Sequence, residues 1–71
     1  MQAIETGNLT TAALQTYDKM MIECVSKIEN FAPLATLIWA NVLEELEKRG
    51  KAKLVSGSYD DLGNALIHRL P

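Results

Sequence analysis

The chain has 71 residues, of which 48% are hydrophobic and 23% charged, and its formal net charge at pH 7 is −2. This length predicts one domain over residues 1–71, and the composition excludes a disordered chain. The weak negative charge argues against a nucleic-acid binder, because such proteins usually carry a basic excess. A single cysteine, Cys24, excludes an internal disulfide, and with one histidine it leaves too few ligands for structural zinc. We therefore expect no metal and no cofactor.

Residues 1–8 are expected to form a flexible lead-in, with Gly7-Asn8 as a turn. They lack the basic start and the apolar run of a signal peptide, and no stretch of the chain has the length and apolarity of a membrane span. Together with the lone cysteine, these features predict a cytoplasmic protein that does not enter a membrane.

The first helix is predicted over residues 10–31. Thr10 or Thr11 suits the cap, because a hydroxyl oxygen can accept a bond from the free N–H groups of the first turn. Apolar residues then recur at alternating intervals of three and four, which places them on one stripe of a helix. The stripe consists of Leu14, Tyr17, Met21, Cys24, Ile28 and Phe31.

The second helix is predicted over residues 34–49. Pro33 either ends the first helix or only kinks it, and in the kinked case residues 10–49 would form a rod about 60 Å long. Gly50 fits a left-handed C-cap. The spacings Glu44–Lys48 and Glu45–Arg49 allow two ion pairs along the helix.

A short third helix is predicted over residues 59–69, where Tyr59, Leu62 and Leu66 fall on one face. Ser58 and Asp61 resemble a capping box, while Gly63 weakens the helix by about 1 kcal/mol relative to alanine. Leu54-Val55 is too short to predict a sheet. The predicted fold class is therefore all-α: a small three-helix bundle in which a helical hairpin carries a short third helix.

The second helix has more apolar surface than three short helices can cover. Ala35, Ile38, Trp39, Val42 and Leu46 share one face, whereas Leu34 and Leu37 point to the opposite side. Either these two leucines pack under the lead-in or the third helix, or they lie in a subunit interface. The second interpretation is favoured, because a homodimer would also supplement a thin core. The predicted partner or dimer interface comprises Leu34, Leu37, Ile38 and Trp39.

No residue set predicts catalysis. Cys24 lies on the apolar stripe without the positive surroundings of a reactive thiol, and His68 suits the end of the third helix, where a cation interacts favourably with the dipole. Asp60 and Asp61 suit its start. The chain is therefore predicted not to be an enzyme.

The leading functional hypothesis is a protein-interaction module, a small adaptor or an inhibitor that docks on a larger protein through apolar helix surface, as a homodimer. The alternative is a small DNA-binding regulator that uses the basic turn 48–53 and helix 59–69. Asp60 and Asp61 count against this alternative, because they would face phosphates. Its contacts with nucleic acid would be Lys48, Arg49, Lys51 and Lys53.

Overall fold

The computed structural model describes residues 5–27 and 33–71. Two helices are followed by a β-hairpin, so the fold is α+β and the predicted all-α helical bundle is wrong. The elements are a 3₁₀ turn (Thr6–Asn8), α1 (Thr11–Lys27), α2 (Pro33–Lys48), β1 (Ala52–Ser58) and β2 (Asp61–Arg69). The segment 59–69, predicted as a helix, forms most of strand β2 and the turn before it.

Helix α1 begins at the predicted cap. The backbone N–H of Ala13 donates to the Thr10 hydroxyl oxygen at 3.1 Å, which satisfies one free donor of the first turn. Leu14 and Met21 of the apolar stripe are buried, whereas Cys24 is only partly buried. The predicted end of this helix, residues 28–31, lies outside the described residues.

Helix α2 ends in the predicted glycine cap. Gly50 has a φ of +75°, its N–H donates to the Glu47 carbonyl at 3.0 Å, and the Lys51 N–H donates to the Leu46 carbonyl at 2.8 Å. These two bonds form a Schellman motif, which turns the chain toward β1. The predicted Glu45–Arg49 ion pair is present at 3.0 Å, whereas Glu44 and Lys48 form no ion pair in the described part of the chain.

The two helices form an antiparallel pair, so the alternative of one kinked rod is wrong. Tyr17 donates its hydroxyl to the Ala35 carbonyl at 3.3 Å, near the start of α2, while Thr11 accepts a bond from Arg49, just beyond its end. Their facing sides and the inner face of the hairpin enclose one core. Its buried residues include Leu14, Met21, Trp39, Ala40, Val42, Leu43, Leu46, Ala52 and Leu62.

Strands β1 and β2 pair in antiparallel register around the turn Tyr59-Asp60, with Leu54 opposite Ile67. The register shifts twice, between Leu54 and Ser56 and between Ser56 and Ser58. Gly57 lies there with a φ of +85°, and a Cβ at this position would come within 2.8 Å of the Ala65 Cα. Only glycine permits both this conformation and this close approach of the two strands.

The helix prediction for residues 59–69 failed because the local sequence features fit both a helix and a hairpin. The Ser58 hydroxyl does accept a backbone bond, from the Asp60 N–H at 2.9 Å, but within the hairpin turn and not at a helix start. Along β2, Ala65 and Ile67 pack against the core while Leu66 is exposed, which is the two-residue period of a strand. Pairing with β1 satisfies the backbone hydrogen-bonding groups of β2, and Gly63 disfavours the helical alternative.

Candidate interaction surface

The four residues predicted to form an interface lie in two different environments. Leu34 and Leu37 are 44% and 50% exposed on the outer side of α2. Trp39 is 8% exposed in the core, and Ile38 is partly buried against it. The side chains available to a partner are therefore Leu34 and Leu37, while Trp39 and Ile38 hold α2 in place.

A groove runs beside Leu37, between α2 and the turn of the hairpin. Its volume is about 320 Å³, and Ala40 contributes a buried side chain at its base. We call this feature the α2 groove. It is lined by Thr36, Leu37, Ala40, Tyr59 and Asp60.

Three carboxylates lie in or near the α2 groove. Asp60 lines it directly, and Glu44 and Glu47 follow Ala40 by one and two turns of α2. Burial raises the pKa of the Tyr59 hydroxyl to about 12, and the nearby carboxylates of Glu47 and Glu44 contribute to that rise. Arg49 pairs with Glu45 and Arg69 pairs with Asp18, and in the described part of the chain no ion pair neutralises Glu44, Glu47 or Asp60.

A buried polar network holds the helices and the hairpin together beneath this surface. Arg69 binds Asp18 through two N–H groups, at 2.6 Å from Nε to Oδ2 and 3.0 Å from Nη2 to Oδ1. The Trp39 indole N–H donates to the same carboxylate at 2.8 Å. Asp18 is 4% exposed, and it connects α1, α2 and β2. Because these bonds fix Trp39, they also fix the side of α2 that faces outward.

Another cavity lies between α1 and the last residues of the described chain. It measures about 400 Å³, and its charged lining includes Asp18, Lys19, Lys51 and Arg69. Arg69 is bound to Asp18, and the Lys51 ammonium donates to the Pro71 carbonyl at 3.3 Å. Most of this charge is thus used within the protein.

The four residues predicted to contact nucleic acid do not form one surface. Lys48 and Lys53 are exposed and Lys51 is partly buried. Arg49 points inward, where it donates to the Leu9 carbonyl at 2.8 Å, the Thr11 hydroxyl at 3.0 Å and the Glu45 carboxylate. Its role is to attach the N-terminal segment to the end of α2. Thr6 in that segment is buried, so residues 6–8 of the predicted lead-in belong to the folded structure.

The remaining candidate residues, His68, Asp60 and Asp61, lie on the hairpin. His68 is exposed on β2 opposite Lys53 and not at the end of a helix, which corrects the predicted interaction with a dipole. Asp60 and Asp61 lie at the hairpin turn. Within the described ranges, no group of three or more His, Cys, Asp or Glu side chains is placed to hold a metal ion. Neither described helix is long and apolar enough to cross a bilayer.

Comparison with known proteins assigns no family: no protein-family model, curated protein or solved structure matches the chain. Function is therefore inferred from the geometry described above.

Proposed function

We propose that this chain is a non-enzymatic protein-interaction module that binds another protein through the exposed apolar side of α2. The observation that carries the proposal is the exposure of Leu34 and Leu37 on the outer side of α2, where Leu37 also lines the α2 groove. Two large aliphatic side chains next to a concave surface can be removed from water together by one partner. Full burial of each would contribute roughly 1.5–3 kcal/mol.

The rigidity of this surface also supports the proposal. Trp39 and Asp18 hold α2 against α1, and Arg69 attaches the hairpin to the same carboxylate. A surface already held in one conformation loses little entropy when it binds, which favours affinity. This arrangement suits a small adaptor or an inhibitor that docks on a larger protein.

A homodimer would use the same residues. Two copies could bury Leu34 and Leu37 against each other, and a small domain with a thin core gains stability from such an interface. A cytoplasmic location also belongs to this proposal. Its support is Cys24, the single cysteine, for which the chain offers no disulfide partner.

The DNA-binding alternative depended on a recognition helix over residues 59–69, where the structure has the hairpin turn and strand β2. Arg49, one of its four proposed contacts, is bound within the protein. No further observation favours this alternative over the interaction module.

Affinity capture with matched variants tests the proposal. The tagged chain is compared with Leu34→Ser/Leu37→Ser and with the control Val55→Ser/Leu66→Ser, which removes two apolar side chains of the hairpin that are at least as exposed. Nuclease and moderate salt are present throughout. We expect a protein that the wild type and the control capture and the α2 variant does not.

The same three purified proteins are examined by sedimentation equilibrium. A dimer that only the α2 variant loses would identify the partner as a second copy. If the three proteins capture the same set of molecules and sediment identically, the α2 surface is not an interface and the proposal is wrong.

A further inference from the structure

The charge around the α2 groove specifies the chemistry of the partner, and this inference rests on the proposed function. Leu37 and Ala40 supply the apolar part of the groove. Asp60 stands at the hairpin side, and Glu44 and Glu47 continue along α2. A groove whose apolar part lies beside Asp60 of the hairpin and close to Glu44 and Glu47 of α2 is complementary to a segment with an apolar stripe and flanking cations.

The carboxylates are available to such a segment. Glu44 and Asp60 are exposed, and neither takes part in the ion pairs found in the described ranges. Glu47 accepts a bond from the Leu54 N–H at 3.2 Å and also lies beside the Tyr59 hydroxyl, so Glu44 and Asp60 are the more accessible of the three. No Lys, Arg or His is among the residues that line the groove. A cation brought by a partner would therefore meet carboxylates that no ion pair of the described residues neutralises.

The same charge disfavours two other occupants. A second copy that docks about a two-fold axis through the groove would bring Glu44 and Asp60 close to their own equivalents, and like charges at an interface oppose binding. Nucleic acid would meet repulsion between its phosphates and these carboxylates. A cationic segment gains attraction at the same positions.

We propose that the α2 groove binds a basic amphipathic helix of another protein, with an apolar side chain placed against Leu37 and Ala40 and lysine or arginine side chains placed at Asp60, Glu44 and Glu47. The groove volume of about 320 Å³ is at the lower end for a ligand site, which suits one or two side chains of a helix. Helix-in-groove recognition through anchors spaced by three and four residues is a common mode of binding.

The experiment titrates the purified chain into three labelled 18-residue peptides and measures fluorescence anisotropy. The first peptide is an amphipathic helix of leucine and lysine, the second replaces every lysine with glutamate, and the third contains the residues of the first in an order without helical periodicity. We expect saturable binding of the first peptide only, weakened at least tenfold by raising the salt from 50 to 500 mM.

Four variants localise the binding. Leu37→Ser and the double variant Glu44→Lys/Asp60→Lys are each expected to weaken it about tenfold or more, which corresponds to about 1.4 kcal/mol. Their controls are Leu66→Ser, on the hairpin, and Glu5→Lys, an exposed carboxylate before α1. Circular dichroism confirms that each variant is folded.

The outcomes separate this inference from the proposed function. Equal weakening by Glu44→Lys/Asp60→Lys and by Glu5→Lys would reflect net charge alone and overturn the inference. Equal weakening by Leu37→Ser and Leu66→Ser, or binding that the unpatterned peptide reproduces, would also overturn it. The absence of binding at 100 μM would overturn it as well. In each of these cases the proposed function is decided by a different experiment, the capture of a partner through Leu34 and Leu37.

Discussion

Arg69, at the end of β2, binds both carboxylate oxygens of Asp18, which is 4% exposed in the middle of α1. The two residues are 51 positions apart in the sequence, and their contact attaches the hairpin to the helical pair. Trp39 donates to the same carboxylate from α2. One buried side chain therefore connects three elements, and the position of the α2 surface depends on it.

Removing one partner of this network should destabilise the protein strongly. Arg69→Met leaves the Asp18 charge buried with only the Trp39 donor, and we expect a loss of about 2 kcal/mol in the free energy of unfolding. Asp18→Leu should cost a similar amount. In the double variant Asp18→Leu/Arg69→Met, the cost should be smaller than the sum, because no uncompensated charge remains. Urea unfolding followed by Trp39 fluorescence measures all three, and purely additive losses would show that the pair is not coupled.

Alanine substitutions at three glycines test the backbone conformation at Gly57 in the hairpin. Gly57→Ala must adopt a φ of +85° with a Cβ within 2.8 Å of the Ala65 Cα, and we expect a loss of about 2–3 kcal/mol. Gly50→Ala has the same kind of φ but open space, and about 1 kcal/mol is expected. Gly7→Ala, with neither constraint, is the control. Thermal unfolding should rank the three variants in this order; equal effects of Gly57→Ala and Gly7→Ala would contradict the close approach of the two strands.

Arg49 should control the order of the N-terminal segment. Its guanidinium binds the Leu9 carbonyl and the Thr11 hydroxyl, so Arg49→Met should release residues 5–10 and cost about 1–2 kcal/mol. Hydrogen exchange at Leu9, whose N–H donates to the Thr6 carbonyl, should accelerate. Lys48→Met, which removes an exposed cation one position earlier, should leave both quantities unchanged. Normal protection at Leu9 in Arg49→Met would show that Arg49 does not hold the segment.

The stability of the protein should fall between pH 10 and 12 because of Tyr59. In the folded protein its pKa is raised to about 12, mainly by burial, whereas the unfolded chain releases this proton near pH 10. The folded state therefore binds the extra proton in this range, and stability decreases as the pH rises. Tyr59→Phe should show a shallower decrease than the wild type in urea unfolding at successive pH values. Parallel curves would mean that Tyr59 titrates normally in the folded state.

The sequence was sufficient for the helices because their signals are local. Thr10, Pro33 and Gly50 act within a turn of their own position. The apolar periods identify most of the buried residues, although Ala40 and Leu43 of α2, both buried, lay outside the predicted face. The hairpin could not be predicted in the same way, since Tyr59, Leu62 and Leu66 fit a helix and the pairing that decides for a strand involves residues 52–58. Local propensity is commonly overridden by tertiary structure in this way.

The candidate site was predictable only in part. Helical spacing separates Leu34 and Leu37 from the core face, and both are exposed in the structure. Trp39 and Ile38 were added to the interface because aromatic and aliphatic side chains suit one, but the core contains them. The contribution of Tyr59 and Asp60 to the groove required the hairpin. Asp18 gave no signal at all, because its partner Arg69 is distant in the sequence.

Site-specific photo-crosslinking in the cell that makes the protein tests the central claim most directly. A benzophenone amino acid is introduced singly at positions 34, 37, 55 and 66, all of which are exposed and apolar. We predict a discrete crosslinked protein from positions 34 and 37 and none from positions 55 and 66. Equal adducts from all four positions, or adducts from 55 and 66 alone, would contradict the claim that the outer side of α2 is the binding surface.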